Sequence, residues 1–319
     1  MIALRRIIGV GIALSLPALA ACRPADRDQT SGSGTGDRFK VGEATPAPYV
    51  VDYVARDYAF TGPMEIRPGW VTMRLANEGL EHHFIFLTLL PDGRTIEDYA
   101  ADVGRAFGAA WEGLQSGALD KAGAGALLGE MLPEWYASAV SMGGPGLVAP
   151  GGVSQATMRL VPGNYVMECY VKTADGEFHV ALGMAIPITV TGEDSGATPP
   201  RPDLSITLFN HFFEIEGTPA AGRQTVAVNF DEQPEFGLAN DVHVVRLDQG
   251  ADLSQVVEWM DWMNIDGLRE SAPAKFVGGI HEMPAGYTAF FTVDLERGRY
   301  AWIAESGAAL GMVQEFTVE

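Results

Sequence analysis

The sequence predicts an all-β chain built as two tandem β-sandwich domains, each carrying a helical insertion. Short runs rich in Val, Tyr, Thr and Phe recur between Pro, Gly and Asn, as at 49–55, 70–75, 204–209 and 225–230. A Pro- and Gly-rich segment, residues 191–203, splits the chain. The two parts then repeat each other in order. Gly79-Leu80 is echoed by Gly237-Leu238, a turn glycine follows at Gly93 or Gly250, and a helix N-cap at Thr95 or Asp252. Leu-x-x-Gly-x-Tyr recurs at 160–165 and 295–300, and Leu-Gly-Met at 182–184 and 310–312. A last strand closes each half.

From the N-terminus, residues 1–21 read as an export signal, with Arg5 and Arg6 before an apolar stretch too short to span a bilayer comfortably. Leu19-Ala20-Ala21-Cys22 resembles the lipobox of bacterial lipoproteins, which implies cleavage before Cys22 and lipidation of its thiol. Residues 22–46, with Ser31-Gly32-Ser33-Gly34, read as a flexible tether. The expected location is the bacterial cell envelope, exported, lipid-anchored and facing the periplasm or the exterior.

Domains are expected at 47–190 and 204–319. In the first, Tyr99, Val103, Phe107, Trp111 and Leu114 form an apolar stripe at helical spacing, with Glu97 and Asp98 in the first turn. The second helix is expected over 253–265. A formal charge of −20 argues against nucleic acid, whose phosphates would be repelled, and suits basic partners or cations. No Ser/His/Asp order, P-loop or His-Glu-x-x-His motif points to an enzyme.

The chemistry gathers at two places. With Cys22 acylated, Cys169 has no disulfide partner, and a lone thiol in an oxidising compartment is stable only if buried or coordinated. It ends the strand Tyr165-Val166-Met167-Glu168-Cys169, and His179 and Met184 follow beyond an Asp175-Gly176 turn. Glu81-His82-His83-Phe84-Ile85-Phe86 offers a second imidazole. Thiolate, imidazole and thioether make a soft donor set that suits copper better than magnesium or calcium. Periodicity cannot choose between the adjacent histidines. His82, Phe84 and Phe86 share one strand face, and His83, Ile85 and Leu87 the other; both faces are apolar.

These motifs resemble the cupredoxins, the plastocyanin and azurin type of copper protein. The resemblance implies Greek-key sandwiches and one type 1 copper in the first domain. It makes Cys169 the thiolate ligand, His179 an equatorial imidazole, Met184 a weak axial ligand and His82 the upstream imidazole, with His83 as its substitute. Nine residues separate Cys169 from His179, longer than the family's usual ligand loop; residues 172–177 read as an inserted turn. The repeat sets Asn240, Asp241, Ala304 and Gly307 where His82, His83, Cys169 and His179 stand, leaving Met312 alone, so the second domain is expected to hold no metal. The implied role is single-electron transfer to a redox partner such as a cytochrome or an oxidase, not catalysis. A copper-delivery lipoprotein and a metal-free interaction module are the alternatives.

Overall fold

The computed structural model describes residues 47–234, 240–305 and 307–319. The expected signal, the tether, Cys22 and the Gly237-Leu238 landmark lie outside them. Among the described residues no helix is long and apolar enough to cross a membrane.

The strands of the first half are β1 (Val50–Arg56), β2 (Ala59–Thr61), β3 (Glu65–Ile66), β4 (Gly69–Asn77), β5 (Phe86–Leu89), β6 (Val140–Ser141), β7 (Val153–Leu160), β8 (Gly163–Glu168) and β9 (Ala185–Val190). The second half contributes β10 (Leu204–Leu208), β11 (Phe213–Glu216), β12 (Gly222–Phe230), β13 (Val242–Leu247), β14 (Lys275–Ile280), β15 (Tyr287–Leu295), β16 (Gly298–Ile303) and β17 (Val313–Val318). The class is mainly β, as expected. Alternation in β1 turns Val51, Tyr53 and Ala55 inward and leaves Val50, Asp52 and Arg56 exposed, the period-two pattern of a strand with one buried face.

The pairings repeat. β1 is antiparallel to β2 and parallel to β4; β10 stands likewise to β11 and β12. β4 with β7 matches β12 with β15, and β5 with β8 matches β13 with β16. The Leu-x-x-Gly-x-Tyr landmark has a physical cause. The Tyr165 hydroxyl donates to Val161 O at 2.8 Å and that of Tyr300 to Glu296 O at 3.1 Å, each tying a corner four residues upstream. Between them Gly163 and Gly298 hold φ near 158° and 156°, a conformation L side chains rarely adopt.

The halves share one sheet. β7 pairs antiparallel with β15 through Thr157–Phe290, Ala156–Phe291 and Gln155–Thr292. The result is an eight-stranded sheet in the order β11-β10-β12-β15-β7-β4-β1-β2, flanked by sheets β3-β9-β8-β5-β6 and β14-β13-β16-β17. One hydrophobic cluster, including Met73, Met167, Val228 and Trp302, runs through both halves.

The insertion starts at Thr95, whose hydroxyl accepts from Asp98 N while Asp98 Oδ2 accepts from Thr95 N. α1 (Ile96–Asp98) passes through a π-helical stretch, Tyr99–Gly104, into α2 (Arg105–Gln115); α3 (Lys121–Met131) follows. The apolar stripe steps by four from Tyr99 to Trp111, and the wider π turn keeps that spacing on one face. α4 (His179–Leu182) is a single turn. α5 (Leu253–Met260) is shorter than expected, because Asp261 Oδ1 accepts from Met263 N and turns the chain out of the helix.

A sheet continuous across both halves should melt as one unit. Differential scanning calorimetry should give one transition whose calorimetric and van't Hoff enthalpies agree. Two resolved transitions would show that the β7–β15 seam does not couple the halves.

Candidate metal centre

The first centre is assembled from three pieces of chain. Cys169 directly follows β8 on the core-facing side of Tyr165 and Met167, and is fully buried. His83 comes in just before β5, where its backbone exchanges hydrogen bonds with Val148 in both directions. His179 is brought back by the inserted turn, which is a small hairpin. His179 N donates to Val171 O at 2.8 Å, Lys172 bridges Phe178, and Thr173 N donates to Glu177 O at 2.8 Å. The nine-residue spacing is thereby absorbed, because the turn folds on itself and returns the imidazole to the thiol.

The hairpin is held from two sides. Trp111 Nε1 of α2 donates to Gly176 O at 3.1 Å. From the second half, the Arg269 guanidinium donates to Ala174 O at 2.6 and 2.9 Å. Lys172 is wholly buried, donates to Trp262 O and Asn264 O at 2.9 and 2.7 Å, and lies 3.9 Å from the Trp111 ring centroid. Burial lowers its pKa to about 7. The helical insertion thus packs over the ligand hairpin.

Geometry orients both rings. His83 Nδ1 is 3.8 Å and His179 Nδ1 3.7 Å from Cys169 Sγ. The outer nitrogens are anchored on carboxylates: His83 Nε2 donates to Asp57 Oδ1 at 2.7 Å and His179 Nε2 to Glu81 Oε2 at 2.7 Å. Each imidazole therefore keeps its proton on Nε2 and aims a lone pair at the sulfur, the arrangement that orients histidine ligands. Met184 is buried, with its N donating to His179 O at 3.0 Å and its O accepting from Cys169 N at 3.1 Å.

The donors fit a metal. An ion ~2.3 Å from sulfur and ~2.1 Å from nitrogen, with ~120° between the bonds, holds N and S ~3.8 Å apart. That is the separation found. Burial pushes the Cys169 thiol up to about 12 and, with His83 beside it, the His179 imidazole down to about 3. His83 is also lowered, by burial against the opposing Asp57 contact. The rings are thus neutral donors at ordinary pH, and the thiol is the one group that must lose a proton.

The structure corrects one expectation. His82 does not face the thiol; His83 does. His82 N and Nδ1 both engage Glu270 Oε1 of the second half, at 2.6 and 2.8 Å, and its ring packs edge-on to Trp259 and Phe276.

In the second half the strand register shifts the alignment of the repeat by one residue. Its counterpart of the first centre is filled in: Met312 N donates to Gly307 O and Ala304 N to Met312 O, the bonds that Met184 makes with His179 and Cys169. A side chain at Gly307 would strike Met312 Sδ at 2.5 Å. Strand register, however, sets Asn240 rather than Asp241 opposite His83, since Leu89 faces Tyr165 and Arg246 faces Tyr300. Asp241 and His243 then match Phe84 and Phe86, on the face turned toward the other half. There Asp241, His243, His281 and Glu305 are buried with one potential donor atom each, all within 4.8 Å of one another. Burial, then the Asp241 charge, raises the Glu305 pKa well above the usual carboxylate range. Sequence reading missed this group because its members lie far apart along the chain and match no ligand spacing.

A cavity of about 150 Å³ is lined in part by Phe86, Tyr99, Glu168, Tyr170, Phe178 and Glu282. Tyr170 follows Cys169 and donates to Glu305 Oε2 at 3.0 Å.

No family model and no curated protein sequence matches the chain. Among solved structures it is similar to auracyanin A, described as a "blue" copper protein from Chloroflexus aurantiacus, at 16% identity, 46% of this chain, 100% of that one and a TM-score of 0.28. An azurin from Methylomonas sp. strain J matches 46% of this chain and 100% of that one at 9% identity, with a TM-score of 0.26. The copper-containing nitrite reductase of Thermus scotoductus covers 85% of this chain and 61% of that one at 11% identity, with a TM-score of 0.21.

Two outcomes follow. His83→Ala should abolish tight copper binding, while His82→Ala should keep it and lower stability by about 1–3 kcal/mol through the lost imidazole contact to the buried Glu270 carboxylate. Metal content after dialysis and denaturant melts separate them; the reverse assignment would restore His82 as ligand. With only the thiol losing a proton, the logarithm of Zn(II) affinity should rise by about one for each pH unit between about 6 and 9. A flat profile in chelator-competition titrations would exclude the thiolate.

Proposed function

We propose that this chain is a cupredoxin-like electron carrier holding one copper at His83, Cys169 and His179, with Met184 as the axial donor. The observation that carries the reading is the pair of anchored imidazoles, each with Nδ1 3.7–3.8 Å from one buried thiol. Copper would supply the one-electron couple, and the protein's task is to keep one donor geometry for both oxidation states. Asp57 and Glu81 fix the rings, the clamped hairpin fixes His179, and burial keeps water from the thiolate. No ligand side chain reaches solvent, which favours electron transfer over a delivery protein that must release its metal.

The partner is a basic redox protein such as a cytochrome or an oxidase. Asp57 and Glu81, the carboxylates behind the two imidazoles, are partly exposed, and Leu80 beside them is 87% exposed. An exposed apolar side chain beside two carboxylates suits a cationic face. The Leu19-Ala20-Ala21-Cys22 box supports a lipid anchor at the cell envelope. Stable anchoring needs more than one acyl chain, as a mature lipoprotein carries.

A soluble form beginning after Cys22, loaded with Cu(II), should show an intense visible sulfur-to-copper band and a reversible midpoint potential. Cys169→Ser should lose the band, and Met184→Leu should keep it while shifting the potential. A copper complex of Cys169→Ser with an unchanged spectrum would falsify the assignment. In cells, fatty-acid label should enter the wild-type chain and not Cys22→Ala; equal labelling of both removes the anchor.

A further inference from the structure

The buried group between the halves has unmet valences that its surroundings do not explain. Leu147 N donates to His243 Nδ1 at 3.1 Å, so the neutral ring carries its proton on Nε2, 3.2 Å from Asp241 Oδ2. Asp241 Oδ1 accepts from Glu305 N at 2.8 Å, and Glu305 Oε2 accepts from Tyr170. Two members are left open. Glu305 Oε1 has no partner, and neither has either ring nitrogen of His281, although both residues are at least 97% buried. Phe84, Phe86 and Tyr170 surround the His281 ring with centroids 4.4, 5.0 and 5.6 Å away, so the apolar packing supplies no acceptor or donor.

Buried polar atoms are nearly always paired, and each one left open costs on the order of 1–3 kcal/mol. Two carboxylates side by side in a dry interior add repulsion. A divalent cation resolves most of this. It accepts one His281 lone pair and Glu305 Oε1 and offsets the charge of the two carboxylates, leaving one His281 ring nitrogen within the apolar packing. Donors about 2.1 Å from a metal stand roughly 3.0–4.2 Å apart, so the observed limit of 4.8 Å requires only a small contraction.

We propose that Asp241, His281 and Glu305 form a second metal site, for a divalent first-row cation such as Zn(II), Fe(II) or Mn(II), with His243 as a positioning residue that orients Asp241. With no sulfur and two carboxylates, the donor set is harder than that of the first centre and selects against Cu(I). Three protein ligands leave coordination positions open. The cavity wall contributes Phe86 and Tyr170 and includes Glu282, next to His281, so water or a small ligand has a place nearby. The site does not depend on the copper reading, because it shares no ligand with His83, Cys169 and His179.

Co(II) titration of the full chain in excess calcium, followed by visible spectra and metal analysis, tests it. The wild type should take two equivalents, one with a sulfur charge-transfer band and one without. His281→Phe and the near-isosteric Glu305→Gln should each keep the sulfur band and lose the other equivalent, with at least a tenfold drop in its affinity. Unchanged near-ultraviolet circular dichroism shows that the variants fold. Cys169→Ser should lose the sulfur band alone. A wild type without the sulfur-free equivalent, or both variants still holding it, overturns the site and leaves the cluster to buried water. If no sulfur band forms while His281→Phe still removes one equivalent, the second site stands and the copper assignment fails.

Discussion

The backbone pairing of β7 with β15 is the constraint on which the rest depends. It joins two copies of one strand arrangement edge to edge and leaves the inner sheets facing each other. The segment from His82 to Phe86 is then buried on both sides. Its odd residues look into the first half's own core, where His83 meets Cys169. Its even residues look across the seam, where His82 meets Glu270 and Phe84 and Phe86 cover His281. One short piece of chain thus forms a wall of both buried polar groups.

The ligand hairpin depends on the same seam. A nine-residue excursion between two metal donors would ordinarily cost entropy and blur the geometry. Here the second half removes that freedom: Lys172 inserts under Trp262 and Asn264, and Arg269 holds Ala174. The second half, with Ala304 and Gly307 at the positions of Cys169 and His179, therefore supports the group in the first. The price is a buried ammonium, offset by two carbonyl contacts and the face of Trp111.

The two halves use matched positions for different chemistry. Tyr170 and Glu305 each stand one residue beyond the pair Cys169 and Ala304, and they hydrogen-bond to each other across the seam. Phe84 and Phe86 are apolar where Asp241 and His243 are polar. Had both copies kept the apolar residues, the seam would be a plain hydrophobic contact. Had both kept the polar ones, it would bury too many charges to be stable. The asymmetry places ionisable groups on one side and lets the other side exclude water around them.

The sequence by itself pointed to the strand-rich class, the repeated landmarks, the capped helices and, in Cys169 and His179, two of the three side chains that converge in the first group. These were legible because local chemistry sets them: β-branched runs, turn glycines, caps at Thr95 and Asp252, and donors close together along the chain. Only the tertiary structure decided between His82 and His83. Alternation distinguishes faces when one is polar, and here both are buried, by different halves of the molecule. The same limit hid Asp241, His243, His281 and Glu305. Those residues span more than sixty positions and converge through strand pairing, a long-range constraint that no local spacing encodes.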